Sequence, residues 1–217
     1  MADKQREVFM TTEGDEYYKR NEEYETSTFF KHDPVCNSII EIANTFYEKA
    51  TILEVGCSDG RRLKALKEKY NWVYQGVEPS TIAIESGKID GIEMLKGSAE
   101  ELPIEAKSVD ILIYGFCLYL CDREELFSIC AEGNRVTKDK SWIIIHDFWA
   151  KADTSNDYHH KQGIKSYKTK PEEMFSWHPS FTVMDTKIRD ISNQTYTDNK
   201  DEWVKTSVIR KVAENKS

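Results

Sequence analysis

Apolar positions along the chain change period several times, and each change marks an element. From Pro34 onward Val35, Ile39, Ile42, Ala43 and Phe46 recur at helical spacing, with Asp33 just ahead of a proline at the first helical position. A helix is expected over about 34–48. "TILEVG" is a short apolar run stopped by glycine, and "RRLKALKEKY" carries Leu63, Leu66 and Tyr70 on one face. That order reads as strand, turn, helix. "NWVYQGVEP" repeats the strand signal, "STIAIESGK" predicts a short helix and "IEMLKG" a third strand. "SVDILIYGF" and "SWIIIHDFW" are continuous apolar runs of the kind covered on both faces of a parallel sheet. Between them "DREELFSICAEGNRV" is an amphipathic helix with Asp122 as its expected N-cap. Strands alternating with helices predict a doubly wound α/β sheet.

Two regions depart from this rhythm. Residues 1–33 are charged and dotted with Phe9, Tyr17, Tyr18, Tyr24, Phe29 and Phe30, which suggests an arm or lid ahead of a domain at 34–217. From about 150 to 180 periodicity is lost, and an inserted loop region is expected. "FTVMDTKIRDIS" and "EWVKTSVIRKV" then alternate apolar with polar residues around the polar turn "NQTYTDNKD", giving a C-terminal antiparallel hairpin.

Composition narrows the function. A chain of 217 residues fits one domain with an appendage. With 30 Lys and Arg against 38 Asp and Glu the net charge is −8, which repels phosphate backbones and argues against a general nucleic-acid binder. Cys36, Cys57, Cys117, Cys121 and Cys130 are odd in number and form no C-x-x-C pair, so a reducing compartment is expected. Cys117 and Cys121 lie in the apolar segment "YGFCLYLC", where free thiols pack as small hydrophobes, and no metal site is expected. No apolar run approaches a membrane span and "MADKQREVF" lacks the apolar core of a signal peptide. The expectation is a cytoplasmic protein with no membrane partner.

The chemistry turns on "LEVGCSDGRRL". Gly56, Ser58 and Gly60 spell G-x-S-x-G, the nucleophile elbow of serine hydrolases, but no oxyanion-hole stretch accompanies it and it follows the first strand of the sheet rather than several. As a cofactor turn it needs small residues after a strand and an acid about 20 positions on. Glu78 lies 22 after Gly56. The turn is not a full G-x-G-x-x-G, because Ser58 takes the middle position, so a dinucleotide fits it poorly.

These residues resemble the class I S-adenosylmethionine-dependent methyltransferases, particularly the small-molecule subgroup with the pattern E-V-G-C-G-x-G. "GVEPS", "GSAEELPIEAKSVDILI", "CLYLCDREELFSICAEGNRVTKDKSWIIIHDF" and the closing hairpin extend the resemblance in order. It implies a Rossmann-like methyltransferase fold with a seven-stranded, mostly parallel sheet, and S-adenosylmethionine as cofactor. The turn around Gly56, Cys57, Ser58 and Gly60 would lie against the amino acid tail and ribose, with Glu78 and Pro79 at the ribose hydroxyls. Ser98, Ala99 and Glu100 would meet adenine, although Ser98 departs from the family's aspartate. The resemblance also puts Glu54 near the methionine ammonium and lines the wall below the sulfonium with Tyr114 to Phe116.

Methyl transfer needs a base only when the nucleophile must lose a proton. His146, Asp147, Tyr158, His159 and His160 are the candidates, with Tyr17 and Tyr18 as arm contacts. Arg61 and the lysines of "NDYHHKQGIKSYKTK" suggest a small, anionic acceptor such as a phosphorylated or nucleotide-linked sugar. The alternatives are a protein or RNA methyltransferase, for which no basic stripe or partner domain is visible, and a non-catalytic binder of the cofactor. Sequence sets no oligomeric state.

Overall fold

The computed structural model describes residues 4–21, 32–46, 49–88, 91–192 and 194–212. Tyr24, Phe29 and Phe30 of the expected arm lie outside them. The arm begins with α1 (Gln5–Val8), passes through a π-helical turn (Phe9–Glu13) and continues as α2 (Gly14–Asn21). Helix α3 (Pro34–Ala43) follows, with the Asp33 carboxylate accepting from the Cys36 amide at 2.7 Å.

Next come β1 (Thr51–Val55), α4 (Arg61–Lys69), β2 (Val73–Glu78), α5 (Thr81–Ser86), β3 (Ile92–Lys96) and β4 (Val109–Gly115). Helix α6 (Leu126–Val136) leads into β5 (Thr137–Phe148). The expected cap for α6 is corrected: a 3-10 turn (Arg123–Glu125) precedes the helix, and the Asp122 carboxylate accepts from the Arg6 amide of the arm at 3.3 Å. The region 150–180 is also more ordered than a loop. It forms a small hairpin of β6 (Thr154–Asp157) and β7 (Lys165–Lys168), then the short helix α7 (Glu173–Ser176). Strands β8 (Phe181–Asp190) and β9 (Trp203–Lys211) close the chain as the expected hairpin.

Seven strands form one sheet in the order β3-β2-β1-β4-β5-β9-β8. The first five run parallel and β9 lies antiparallel to β5. Strand alternation divides the apolar runs between two cores. Ile52, Ile111, Ile113 and Ile144 face α3 and α4 through Val35, Ile39, Leu63 and Leu66. Leu53, Leu112, Tyr114, Ile143 and Ile145 face the other side with Ile129 and Phe175. The order reverses between β1 and β4, the switch point where open α/β sheets bind ligands beyond the strand carboxyl ends.

Candidate cofactor site

Beyond that switch point lies an open cavity that, with the solvent at its mouth, encloses about 790 Å³. Its floor is made by strand ends and the turns after them: Val55, Gly56 and Ser58 after β1, Glu78 and Pro79 after β2, Gly97 to Glu100 after β3, and Phe116 and Cys117 after β4. The turn after β1 is tight. Gly56 has φ +70 and Ser58 φ +53, the left-handed region that glycine adopts freely and serine seldom. The Gly56 amide donates to the Val77 carbonyl at 2.8 Å. A Cβ on Gly56 would fall 2.7 Å from Cys117 Cβ, so the turn and the wall after β4 touch only because that side chain is absent.

The Glu78 carboxylate is fixed by two backbone donors, the Ser58 amide at 2.8 Å and the Ser80 amide at 3.0 Å. Burial pushes its carboxyl up to about 7 against those two amides. Ser98 Oγ, also on the cavity, is buried without a hydrogen-bond partner.

The arm supplies the roof through Arg6, Phe9, Met10, Gly14, Tyr17 and Tyr18. Gly14 allows the approach, since a Cβ there would lie 3.2 Å from the Ser80 amide nitrogen. Asp15 anchors it: its carboxylate accepts from Ser80 Oγ at 2.7 Å and from the Ile82 amide at 3.1 Å. Burial alone would raise the Asp15 carboxyl, but these bonds and one from the Thr81 amide hold it below its usual value. Gln5 joins three segments, donating to the Leu120 carbonyl at 2.7 Å and accepting from the Lys165 amide at 2.6 Å. Tyr18 donates to Ser86 Oγ at 2.7 Å, and Arg20 pairs with Glu13 and donates to Tyr158 at 3.1 Å.

Of the residues assigned to the cofactor from sequence, the structure brings Gly56, Ser58, Glu78, Pro79, Ser98, Ala99, Glu100 and Phe116 onto the cavity, together with Tyr17 and Tyr18. Glu54, Cys57, Gly60 and Tyr114 do not line it. The reason is parity. Glu54 shares its strand face with Ile52 and pairs with Arg62, which also binds Asp33 at 3.0 Å. Tyr114 shares its face with Leu112, and its ring lies 6.3 Å from Phe175 in the core. Cys57 packs toward Gly76 and Met94, while Gly60 is the N-cap of α4.

The base candidates are committed elsewhere. His146 Nδ1 lies 2.8 Å from Thr206 Oγ1 across the β5–β9 ladder, and burial lowers its pKa to about 4. Asp147 accepts from the amides of Phe148 at 2.8 Å and Tyr119 at 3.2 Å. Burial raises it to about 7. Tyr158 meets the arm, its ring 6.4 Å from Phe9, while His159 and His160 are exposed and none of the three lines the cavity. Missed in the sequence were Arg6, Met10 and Gly14, whose spacing with Tyr17 and Tyr18 is helical, and the cysteines of the wall.

The hydrolase reading finds no support here, because no histidine lines the cavity beside Ser58. Among the described residues no group of three or more His, Cys, Asp or Glu is placed to hold a metal ion. No described helix is long and apolar enough to cross a membrane.

Comparison with known proteins agrees with this geometry. A family model described as a methyltransferase domain matches residues 53–145, the span from β1 to β5. A search of curated proteins finds no match. Among solved structures, a Burkholderia thailandensis 1,6-didemethyltoxoflavin-N1-methyltransferase with bound 1,6-didemethyltoxoflavin and S-adenosylhomocysteine aligns with a TM-score of 0.70 at 14% identity, covering 98% of this chain and 92% of that one. A complex between the Haloferax volcanii Trm112 methyltransferase activator and a methyltransferase gives 0.65 at 15%, covering 98% and 99%. A Methanosarcina mazei S-adenosylmethionine-dependent methyltransferase gives 0.63 at 15%, covering 80% and 98%. Over β1 to β5 the chain thus matches a methyltransferase domain, and its fold is that of S-adenosylmethionine-dependent methyltransferases.

Proposed function

We propose that the roofed cavity binds S-adenosylmethionine and that the enzyme transfers its methyl group to a small-molecule acceptor. The observation that carries this is the Glu78 carboxylate, held by the amides of Ser58 and Ser80 at the end of β2 and turned to the cavity. Two backbone donors fix its position and leave further lone pairs for two ribose hydroxyls. The residues fit the rest of the group as well. The Gly56 turn brings backbone without bulky side chains to the amino acid tail, and Ser98 Oγ, buried and unpartnered, would accept from the adenine amino group with Glu100 beside it. When bound, the cofactor supplies a methyl group on a sulfonium that is already a good leaving group.

The protein's part is positioning and exclusion of water. Phe116 presents an apolar wall braced by His146, with ring centroids 4.7 Å apart, and by Phe148 at 5.4 Å. The arm closes the cavity over it, with Tyr17 at the roof 3.4 Å from the Tyr119 hydroxyl. His146 and Asp147 hold structure in this reading, so the acceptor atom is one that needs no strong protein base.

Of the cations invoked for an anionic acceptor, Arg61, Lys165, Lys168 and Lys170 are engaged by carboxylates, and among the described residues Lys161 is not. Arg61 holds Asp59 at 2.8 Å, Lys165 holds Asp157 at 2.5 Å and Lys170 lies 3.4 Å from Glu173. A small acceptor is therefore favoured over a specifically anionic one, and the arm lying over the cavity favours it over protein or RNA as well. Calorimetric titration with S-adenosylhomocysteine tests the proposal. Wild type should bind, and Glu78→Ala should bind more weakly by about 1–3 kcal/mol, the usual cost of losing a charge-assisted partner. Equal affinity in the two proteins would remove Glu78 from the site.

A further inference from the structure

A second hollow, about 910 Å³ with the solvent at its mouth, opens beside the loop between β4 and α6, the same loop whose Cys117, Leu120 and Cys121 wall the cofactor cavity. Leu118, Leu126 and Met174 give it an apolar part, and Asp153, Lys170 and Glu173 also line it. At its rim stand Phe127 and Trp177, 79% and 66% exposed. One exposed aromatic is ordinary, but two bordering a concave, partly apolar surface are the pattern of a binding site.

Arg123 forms part of the wall. Its Nη2 donates to the carbonyls of Leu118 at 2.7 Å and Cys121 at 3.0 Å, and its guanidinium lies 4.2 Å from the centroid of the Tyr167 ring. The group is thus fixed in place. Its Nε is buried without a hydrogen-bond partner, and among the described residues no carboxylate lies within ion-pair distance of it. Burial accordingly lowers its pKa. A partly buried cation with no ion-pair partner is costly unless something else supplies the charge. Asp147 and Asp153 act on it only from a distance and do not offset its burial, and Glu173 on the same rim pairs with Lys170.

We propose that this hollow binds a small amphipathic carboxylate, with the carboxylate against the Arg123 guanidinium where it lines the hollow and an apolar or aromatic body between Phe127 and Trp177. Fixing the guanidinium beforehand removes most of the ordering cost of such a contact. The site is separate from the methyl-transfer site and does not depend on how that site is read.

Hydrocinnamate and its uncharged analogue hydrocinnamyl alcohol are suitable probes. N–H correlation spectra of isotope-labelled full-length protein would follow the Trp177 indole resonance, assigned with Trp177→Phe. Hydrocinnamate should shift that resonance saturably at millimolar concentrations, and the alcohol should bind about tenfold more weakly, the scale of one charge-assisted hydrogen bond. Arg123→Gln should abolish the preference while the spectrum stays dispersed. Should that variant fail to fold, the acid–alcohol comparison in the wild type decides alone. Equal affinity for acid and alcohol, or no saturable shift with either, would overturn the proposal, as would a preference that survives Arg123→Gln in a folded protein.

Discussion

Two glycines of the turn after β1 share a backbone conformation and differ in their surroundings, which makes them a controlled pair. Gly56 has φ +70 and Gly60 φ +72. Alanine at either position pays for the left-handed backbone, about 1–2 kcal/mol. At Gly60 that is nearly all, because the new Cβ would meet Met94 Sδ at 3.4 Å, an ordinary contact with a flexible side chain. At Gly56 the Cβ would fall 2.7 Å from Cys117 Cβ, adding an overpacking cost of about 1–3 kcal/mol. Gly56→Ala should therefore lose about 2–5 kcal/mol and Gly60→Ala about 1–2 kcal/mol. At about 2–4 °C per kcal/mol for a chain of this size, thermal unfolding should separate them clearly.

The obstacle is specifically the Cβ of Cys117, which sets a further condition. Cys117→Gly should recover the overpacking cost in a Gly56→Ala background, whereas Cys117→Ala, which keeps the Cβ, should recover none of it. A double-mutant cycle isolates that coupling. If Gly60→Ala proves as damaging as Gly56→Ala, or if Cys117→Ala rescues as well as Cys117→Gly, the close approach of turn and wall is not what Gly56 provides.

Three other outcomes can be checked on the same protein. Ser58→Ala should stay folded and bind S-adenosylhomocysteine nearly as tightly as wild type, because the bond to Glu78 comes from the backbone amide; covalent labelling of Ser58 by a fluorophosphonate would contradict this. Asp15→Ala should cost about 1–2 kcal/mol in docking of the arm and speed amide exchange over 5–21, with little change in the sheet; unchanged exchange would show that Asp15 is not the anchor. His146 is buried neutral with its pKa lowered from 6.5 to about 4, so the unfolded chain binds a proton that the native state refuses, and stability is lost as pH falls from about 6.5 to about 4. Its contribution to that loss is about 3 kcal/mol, and a His146→Gln protein that still folds should show a correspondingly shallower acid limb in urea titrations.

The fold was legible because each buried strand stated its environment. "DILIY" and "WIIIH" are apolar without a break, which only a sheet covered on both sides can satisfy. The same rule, carried one step further, would have placed Glu54 and Tyr114 correctly. On β1 Glu54 is two residues from Ile52, and on β4 Tyr114 is two from Leu112, so each must share its neighbour's face and be drawn into a core beside the sheet instead of the cavity beyond its end. The hairpin at 154–168 escaped notice for the opposite reason: every residue of β6 is exposed, and a strand with no buried face has no pattern to show. The arm's contribution was half visible. Arg6, Met10, Gly14, Tyr17 and Tyr18 recur at helical spacing, but few of them are apolar, so the stripe that meets the cavity is not a hydrophobic one.

The parity of β5 also bears on how the reaction is driven. His146 shares its face with Trp142 and Ile144, and Asp147 shares the opposite face with Ile143 and Ile145. Neither can turn toward the cavity without breaking the ladder that holds it, and each has found internal partners: Thr206 for the imidazole, the amides of Tyr119 and Phe148 for the carboxylate. Those partners serve the site indirectly. Asp147 fixes the start of the loop at 118–121 and His146 braces Phe116, which are the two surfaces that close the cavity on the side of β4. A strand end rich in titratable groups thus works here as scaffold, and the proposed methyl transfer gains its rate from how closely these walls and the docked arm hold the acceptor against the methyl group, since an in-line displacement from a sulfonium is limited chiefly by contact and alignment.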